Sequence, residues 1–339
     1  METLRQQAPP ASYRTLSALI RDAGLLDKRP AYYSAKITLT VVAYFAGWVA
    51  LVMVGNSWIA LLCAAGLAVM FTQVAFIGHD AGHNQIASSR RINQIIGLLA
   101  GNLLTGMSLG WWVPKHNAHH AHPNEPDRDP DVGPGILAFS LTARDAAQRS
   151  GTGRFIARHQ AWLFVPLLSI EGLGLHITSI DWLARRRNRM ALTEAILIFV
   201  HFALYATVVF SVLSPLRAIA FIALQQCLFG LYLGCSFAPN HKGMPMPTLT
   251  DDPPMSFAAR QVITARNVTG GVVIDFLLGG LNHQIEHHLF PVMCRPNLAK
   301  AQSFVRAFCA EQGLPYVETG LISSYRMALS HLAMVSRAA

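Results

Sequence analysis

Residues 37–83 read ITLTVVAYFAGWVALVMVGNSWIALLCAAGLAVMFTQVAFIGHDAGH. Two apolar runs, Ile37–Gly55 and Trp58–Gly78, carry no charge at all. Each is close to the ~20 residues that cross a bilayer as a helix. A tight Gly55-Asn56-Ser57 turn joins them, so they read as a helical hairpin. A second pair, Leu192–Leu213 and Leu216–Ala238, meets at Ser214-Pro215. The chain therefore reads as an all-α integral membrane protein with four transmembrane helices in two hairpins.

Charge placement supports this. The 339 residues are 52% hydrophobic and 13% charged, against roughly 25% charged in a soluble domain. Such a composition excludes a disordered chain and argues against a soluble enzyme. Of the 27 Lys and Arg, only Arg217 lies at the short turns. The rest share one side with both termini and the long middle segment. Positive residues near spans stay cytoplasmic, so the +9 net charge is chiefly a topology signal and needs no nucleic acid. Residues 1–36 read as a cytoplasmic segment without a secretory signal, broken by Pro9, Pro10 and Pro30. Residues 37–300 form the membrane domain, and 301–339 a cytoplasmic helical segment. Ile95–Leu109 and Trp162–Leu175 read as interfacial or re-entrant helices. The five cysteines hold no Cys-x-x-Cys pair, so a zinc-ribbon or thioredoxin-like reading has no support.

Histidine is the informative residue. Eight of the 14 cluster just outside the spans. His79 and His83 stand four apart, on one helix face. His116, His119 and His120 fall within an arc of about 100°. Gln284, His287 and His288 repeat that arc, and His283 with His287 repeats the first spacing. His241 follows the fourth span. Clustered imidazoles are ligands for iron, zinc or copper, and one four-coordinate zinc would be oversupplied. The pattern points to a dinuclear site in a cytoplasmic helical cap. Either Gln284 or His283 faces it, with Gln284 favoured. His122 falls outside the second arc, and His201 sits mid-span, too far away to be a ligand. His159, His176 and His331 are isolated, so a structural role wins for each. Asp80 reads as a carboxylate that orients an imidazole. Glu125, Asp127, Asp129 and Asp131 read mainly as a solvated face.

The three boxes HDAGH (79–83), HNAHH (116–120) and QIEHH (284–288) resemble those of the membrane-bound fatty acid desaturase family. Trp111-Trp112, Pro123-Asn124, Asp129-Pro130-Asp131, the segment Pro239–Met244, Asn282 and Leu289-Phe290-Pro291 add to the likeness. It spans about residues 37–300. The Gln of the third box resembles the linoleoyl-CoA-desaturase-like, front-end branch. Without a His-Pro-Gly-Gly haem motif, the chain looks like the compact bacterial members. His283 departs from the Tyr expected there.

The resemblance implies oxygen-dependent removal of two hydrogens from an acyl chain at a non-haem di-iron centre. It implies two irons, dioxygen as co-substrate, and a fatty acyl substrate linked to coenzyme A, a carrier protein or phospholipid. A separate ferredoxin- or flavin-type donor would supply electrons, and the protein would sit in the bacterial inner membrane. Breaking an unactivated C–H bond needs an oxidant that acid–base side chains cannot supply. Arg185, Arg186, Arg187, Arg189, Lys242 and Arg266 are candidate head-group contacts. The competing readings are an alkane or carotenoid hydroxylase or ketolase, an intramembrane zinc protease and a metal transporter. Against the protease, Asp80 stands where its general base belongs. Against the transporter, the clusters lie outside the spans.

Overall fold

Within lipid a backbone can bond only to itself, so long apolar stretches coil into helices. The computed structural model, which describes residues 12–147, 150–248 and 255–337, shows four such helices. They are α2 (Pro30–Val54), α3 (Ala60–Gly82), α9 (Arg189–Val212) and α10 (Pro215–His241). A short helix α1 (Tyr13–Asp22) precedes them, and residues 1–11 of the N-terminal segment lie outside the described residues.

Proline starts both α2 and α10, where its missing N–H costs nothing. Gly55 ends α2 with φ 63°, a conformation that favours glycine. At the turns, Arg217 donates to the Asn56 carbonyl at 2.8 Å and lies over the Trp58 ring. The hub is α3, which packs against α2 and α10. Phe71, Leu67, Phe221 and Phe229 sit in this core, all fully buried. The second pair is splayed. α10 packs mainly on α3, and α9 packs on the segment after the first box.

That segment, α4 (Arg90–Gly97), runs into a π-helical stretch Leu98–Leu104. The chain then turns by 113° into α5 (Leu109–Ala121). A short α6 (Leu141–Ala147) follows. A second bent pair, α7 (Gly151–Leu168) and α8 (Glu171–Ala184), folds back through 82°. Both breaks therefore fall inside the runs expected to be interfacial or re-entrant.

The first break frees polar backbone, and side chains of α2, α8 and α9 satisfy it. Tyr44 donates to the Leu104 carbonyl (2.9 Å), His176 to Gly106 (3.0 Å) and His201 to Leu103 (2.9 Å). Glu194 of α9 accepts from the Asn102 amide (3.0 Å), the Ser108 hydroxyl (2.7 Å) and the Gly110 N–H (3.0 Å). Mid-span His201 and isolated His176 are thus structural, holding a broken helix in place.

The remaining elements close the cap. They are α11 (Phe257–Ile263), β1 (Asn267–Thr269), α12 (Gly271–Leu277), α13 (Gln284–Leu289), α14 (Arg295–Gln312), β2 (Glu318–Gly320) and α15 (Leu321–Arg337). β1 and β2 pair in parallel, with Asn267 opposite Glu318. A second core of Leu16, Ile20, Val262, Ile285, Leu298 and Val305 unites α1, α11, α13 and α14. Tyr13 donates to the Leu289 carbonyl at 2.8 Å, tying the first helix to the third box.

Candidate metal centre

Each box sits where local sequence stops or starts a helix. α3 runs past its apolar stretch and carries His79 in its last turn, with His83 at the C-cap. Asn84 then takes φ 56° and ends the helix; Asn is among the few side chains that tolerate this. Ser108 caps α5 by accepting from the Trp111 N–H at 3.0 Å, which fixes the helix that delivers His116, His119 and His120. His241 is the last residue of α10. Gln284, His287 and His288 lie on one face of six-residue α13.

The structure brings the eight imidazoles expected from the sequence into one buried mass. Nitrogens of His79, His83, His116 and His287 all lie within 4.8 Å of one another. Those of His119, His241 and His288 form a second such group. Ligand bonds near 2.1 Å put opposite donors of one ion about 4.2 Å apart, so each group matches one ion. His120 lies between the groups: its ring is 4.6 Å from His83 and 4.2 Å from His288. Its Nε2 is 3.1 Å from that of His116. Gln284 reaches His241 Nε2 at 2.9 Å, and a half-turn of its amide would present the oxygen there.

The unused atoms point inward. His79 Nε2, His83 Nε2, His120 Nδ1, His288 Nε2 and both nitrogens of His287 are buried without a partner. An orphaned buried polar atom costs about 1–3 kcal/mol, so this many at one point are explained by cations they would bind. Burial, then the neighbouring imidazoles, hold His83, His287 and His288 well below the ordinary imidazole range. They are neutral, with lone pairs available. The donor set fits two nitrogen-liganded metals.

The outer nitrogens are pinned. His119 Nδ1 donates to Asp129 at 2.9 Å, and the Asn124 N–H donates to the same oxygen at 2.8 Å. His241 Nδ1 donates to the Thr264 carbonyl (3.0 Å) and His288 Nδ1 to Gln261 (2.9 Å). His79 Nδ1 meets Asp80 at 3.2 Å, and Arg295 (2.7 Å) and Tyr33 (3.1 Å) hold that carboxylate. Such partners fix the tautomer and ring plane. Asp129→Asn is expected to weaken metal binding about 10–100-fold, measured by chelator competition.

Several expectations need correction. His283 does not join the cluster. Its two nitrogens go to Asp275 (3.2 Å) and Gln302 (3.0 Å), because α13 begins one residue later and turns it outward. His283→Ala should leave metal content unchanged, read by elemental analysis. Arg266 is fully buried and donates to the carbonyls of Pro239 and Lys242 and to Ser324, so it meets no head group. Lys242 donates to the Asp131 carbonyl at 2.8 Å and lies 4.0 Å over Phe139. Arg185 pairs with Asp181 and Arg186 stacks on Trp182; with Arg187 and Arg189 they are exposed.

The acidic run is a solvated face only at Asp127, which is exposed, and in part at Asp131. Glu125 and Asp129 are buried, Glu125 pairs with Arg260 at 2.8 Å, and Asp131 pairs with Lys115. The signal was their place directly after a box, where imidazoles need carboxylate partners. His122 lies beside Arg260 and Glu125, away from the cluster. Sequence reasoning missed Gln261, Arg295 and Glu194. Only Glu194 left a trace, as the sole carboxylate within Leu192–Leu213.

Trp112 stacks on His116, rings 4.4 Å apart and 20° from parallel. Beside it opens a cavity of about 710 Å³. His79, His116, His119, His241 and Gln284 line it together with Lys115, Asp131, Glu171 and Lys242, and mostly apolar residues of α5, the loop 133–139, α7, α8 and α10 complete its walls.

Comparison with known proteins agrees with this arrangement. The family model for fatty acid desaturases matches residues 56–320. An acyl-lipid (9-3)-desaturase of Physcomitrium patens is 31% identical over 96% of this chain, which spans 63% of that protein's length. The Delta(6)-fatty-acid desaturase fat-3 of Caenorhabditis elegans is 30% identical, over 95% of this chain and 74% of its own. Delta(8)-fatty-acid desaturase 2 of Arabidopsis thaliana is 29% identical, over 90% and 70%. With the boxes buried together and the match reaching across four apolar helices, the chain belongs to the fatty acid desaturase family.

Proposed function

We infer that the protein is an oxygen-dependent fatty acyl desaturase of the front-end type. One observation carries this reading: two groups of buried, inward-facing imidazoles open onto an apolar cavity large enough for a lipid chain. Relatives whose names print Delta(5), Delta(6) and Delta(8) support the front-end assignment.

In this reading His79, His83, His116 and His287 hold one iron. His119, His241 and His288 hold the other, with Gln284 adjacent and His120 between them. The bound iron pair supplies dioxygen activation, which no side chain here can provide. The chain's own residues do the rest. Asp80, Asp129, Gln261 and the Thr264 carbonyl keep the outer ring nitrogens protonated, so the inner ones face the metals. Trp112 fixes the plane of His116. The apolar walls hold the acyl chain beside the cluster and exclude water from it.

The charge asymmetry supports a cytoplasmic location for both termini and the metal centre. In a bacterium that would be the inner face of the inner membrane. A separate ferredoxin- or flavin-type protein supplies the electrons.

Expression in a host lacking the activity, with double-bond positions mapped by mass spectrometry, tests the reading. A new double bond on the carboxyl side of an existing one is expected. A hydroxylated or keto product without a new double bond would overturn it. Purified protein should hold about two irons per chain, the number one per group predicts; one zinc and no iron would contradict the assignment.

A further inference from the structure

The short helix α12, of sequence GVVIDFL, has no buried residue although it is almost wholly apolar. Val272, Val273, Phe276 and Leu277 are 84%, 67%, 50% and 38% exposed. At 100° per residue they fall within an arc of about 140°. Asp275, the one charged residue, lies outside that arc. It accepts from the Asn282 amide at 2.7 Å and meets His283 Nε2 at 3.2 Å. The helix is therefore amphipathic. Its polar side holds the approach to the third box, and its apolar side is left open among the described residues.

Its contacts fix its depth. The Gln73 amide of α3 donates to the Phe276 carbonyl at 3.0 Å. Gly279 lies so close to the Phe76 ring that a Cβ there would come within 2.5 Å of it. Gln73 and Phe76 precede His79 by six and three residues, about 9 and 4.5 Å further into the apolar helix. α2 runs beside this stretch in the opposite direction, for Tyr33 donates to Asp80 and Tyr44 packs on Phe71. Leu39, midway between those tyrosines, stands about level with Phe76 and is 69% exposed on its own apolar helix. Val69 precedes Gln73 by four residues and so shares its face of α3; it is 38% exposed one turn deeper. Lys36, the last charge before the apolar run of α2, reaches Gln73 Oε1 at 3.4 Å. A lysine at this level marks the edge of the hydrocarbon rather than its middle.

We propose that α12 is an interfacial helix whose Val272/Val273/Phe276/Leu277 face rests among the acyl tails of the leaflet next to the metal centre. At this level the face continues the exposed apolar surfaces of α2 and α3, and an amphipathic helix gains by burying such a face at the boundary of head groups and tails. Gly271 (φ 66°) and Gly279 (φ 63°) turn the chain into and out of the helix. α12 ends seven residues before Gln284, so its Asp275 contacts attach the third box to the leaflet. The inference rests on the membrane spans and is independent of the desaturase reading.

The test places a nitroxide on Val273→Cys in a chain whose five native cysteines are replaced by serine, reconstituted in phosphatidylcholine vesicles. Electron paramagnetic resonance reads its collisions with oxygen, which concentrates in lipid, and with a nickel chelate, which stays in water. Leu39→Cys serves as the lipid reference and Glu311→Cys, exposed on α14, as the water reference. Val273→Cys is expected to follow Leu39→Cys, with oxygen collisions favoured over nickel. Nickel collisions as frequent as at Glu311→Cys would put α12 in water and overturn the proposal. Poor access to both reagents would mean that protein covers the face, a second copy or another chain, and would overturn it as well.

A second measurement keeps the native chain and so stands if the cysteine-free background fails to fold. Phosphatidylcholine bearing a diazirine in its acyl chain is expected to label Val272, Val273 or Phe276 on irradiation, as well as Leu39, with the sites mapped to single residues by mass spectrometry. Labelling of Leu39 with none on α12 would contradict the proposal. So would labelling of the neighbouring sequence only at Leu281 and Gln284, which line the cavity beside the metal centre.

Discussion

His287→Ala should remove iron and desaturation together. Both nitrogens of His287 are buried without a partner. Its ring lies 4.9 Å from His79, 4.8 Å from His83 and 4.8 Å from His120. Those contacts reach the first box and the second at once, so no nearby side chain can take its place. Changes to residues that merely orient a ligand cost about 10–100-fold in affinity or activity. Loss of a ligand itself should exceed that, leaving activity below about one hundredth. Folding of the metal-free chain is affected less: the alanine leaves a cavity but removes two orphaned nitrogens. Elemental analysis beside circular dichroism separates these effects. Native iron content in a folded His287→Ala protein would sink the ligand assignment.

The second large effect lies outside the cluster. Glu194→Ala strands the buried Asn102 amide and Ser108 hydroxyl and the partly buried Gly110 N–H. At about 1–3 kcal/mol for each orphaned group, the loss is roughly 3–9 kcal/mol, comparable to the whole stability of a domain. The consequence reaches the metals because Ser108 caps α5, which carries the second box. Glu194→Gln keeps one acceptor oxygen and should fall between. Thermal unfolding in detergent, with iron content on the same samples, checks both variants. Wild-type values for Glu194→Ala would show that the bent segment Arg90–Ala121 is held by other means.

How much of this was legible in the sequence follows from the range of each interaction. The four long apolar helices were plain, since length and apolarity are local properties. The eight imidazoles were legible because i, i+3 and i+4 spacing is local too. Choosing between Gln284 and His283 needed the start of α13, a boundary set by packing against α11 and α14. The buried acids after the second box read as surface because their partners, Arg260 and Lys115, are set by the tertiary fold. Arg266 looked available for the same reason: nothing nearby in sequence shows that the carbonyls of Pro239 and Lys242 will enclose it.

The metal centre draws its residues from α3, α5, α10 and α13, whose positions in the chain run from His79 to His288. Each ion is therefore a cross-brace between elements that share little other contact, and its binding free energy is also folding free energy. A ligand that binds only the native state raises stability by mass action. If the metal is iron, as proposed, iron scarcity would then act on the amount of this protein as well as on its turnover. Chains made without metal would keep their spans in the membrane but leave the cap loosely closed, exposed to quality-control proteases. The acyl composition of the membrane would follow the iron supply through protein lifetime.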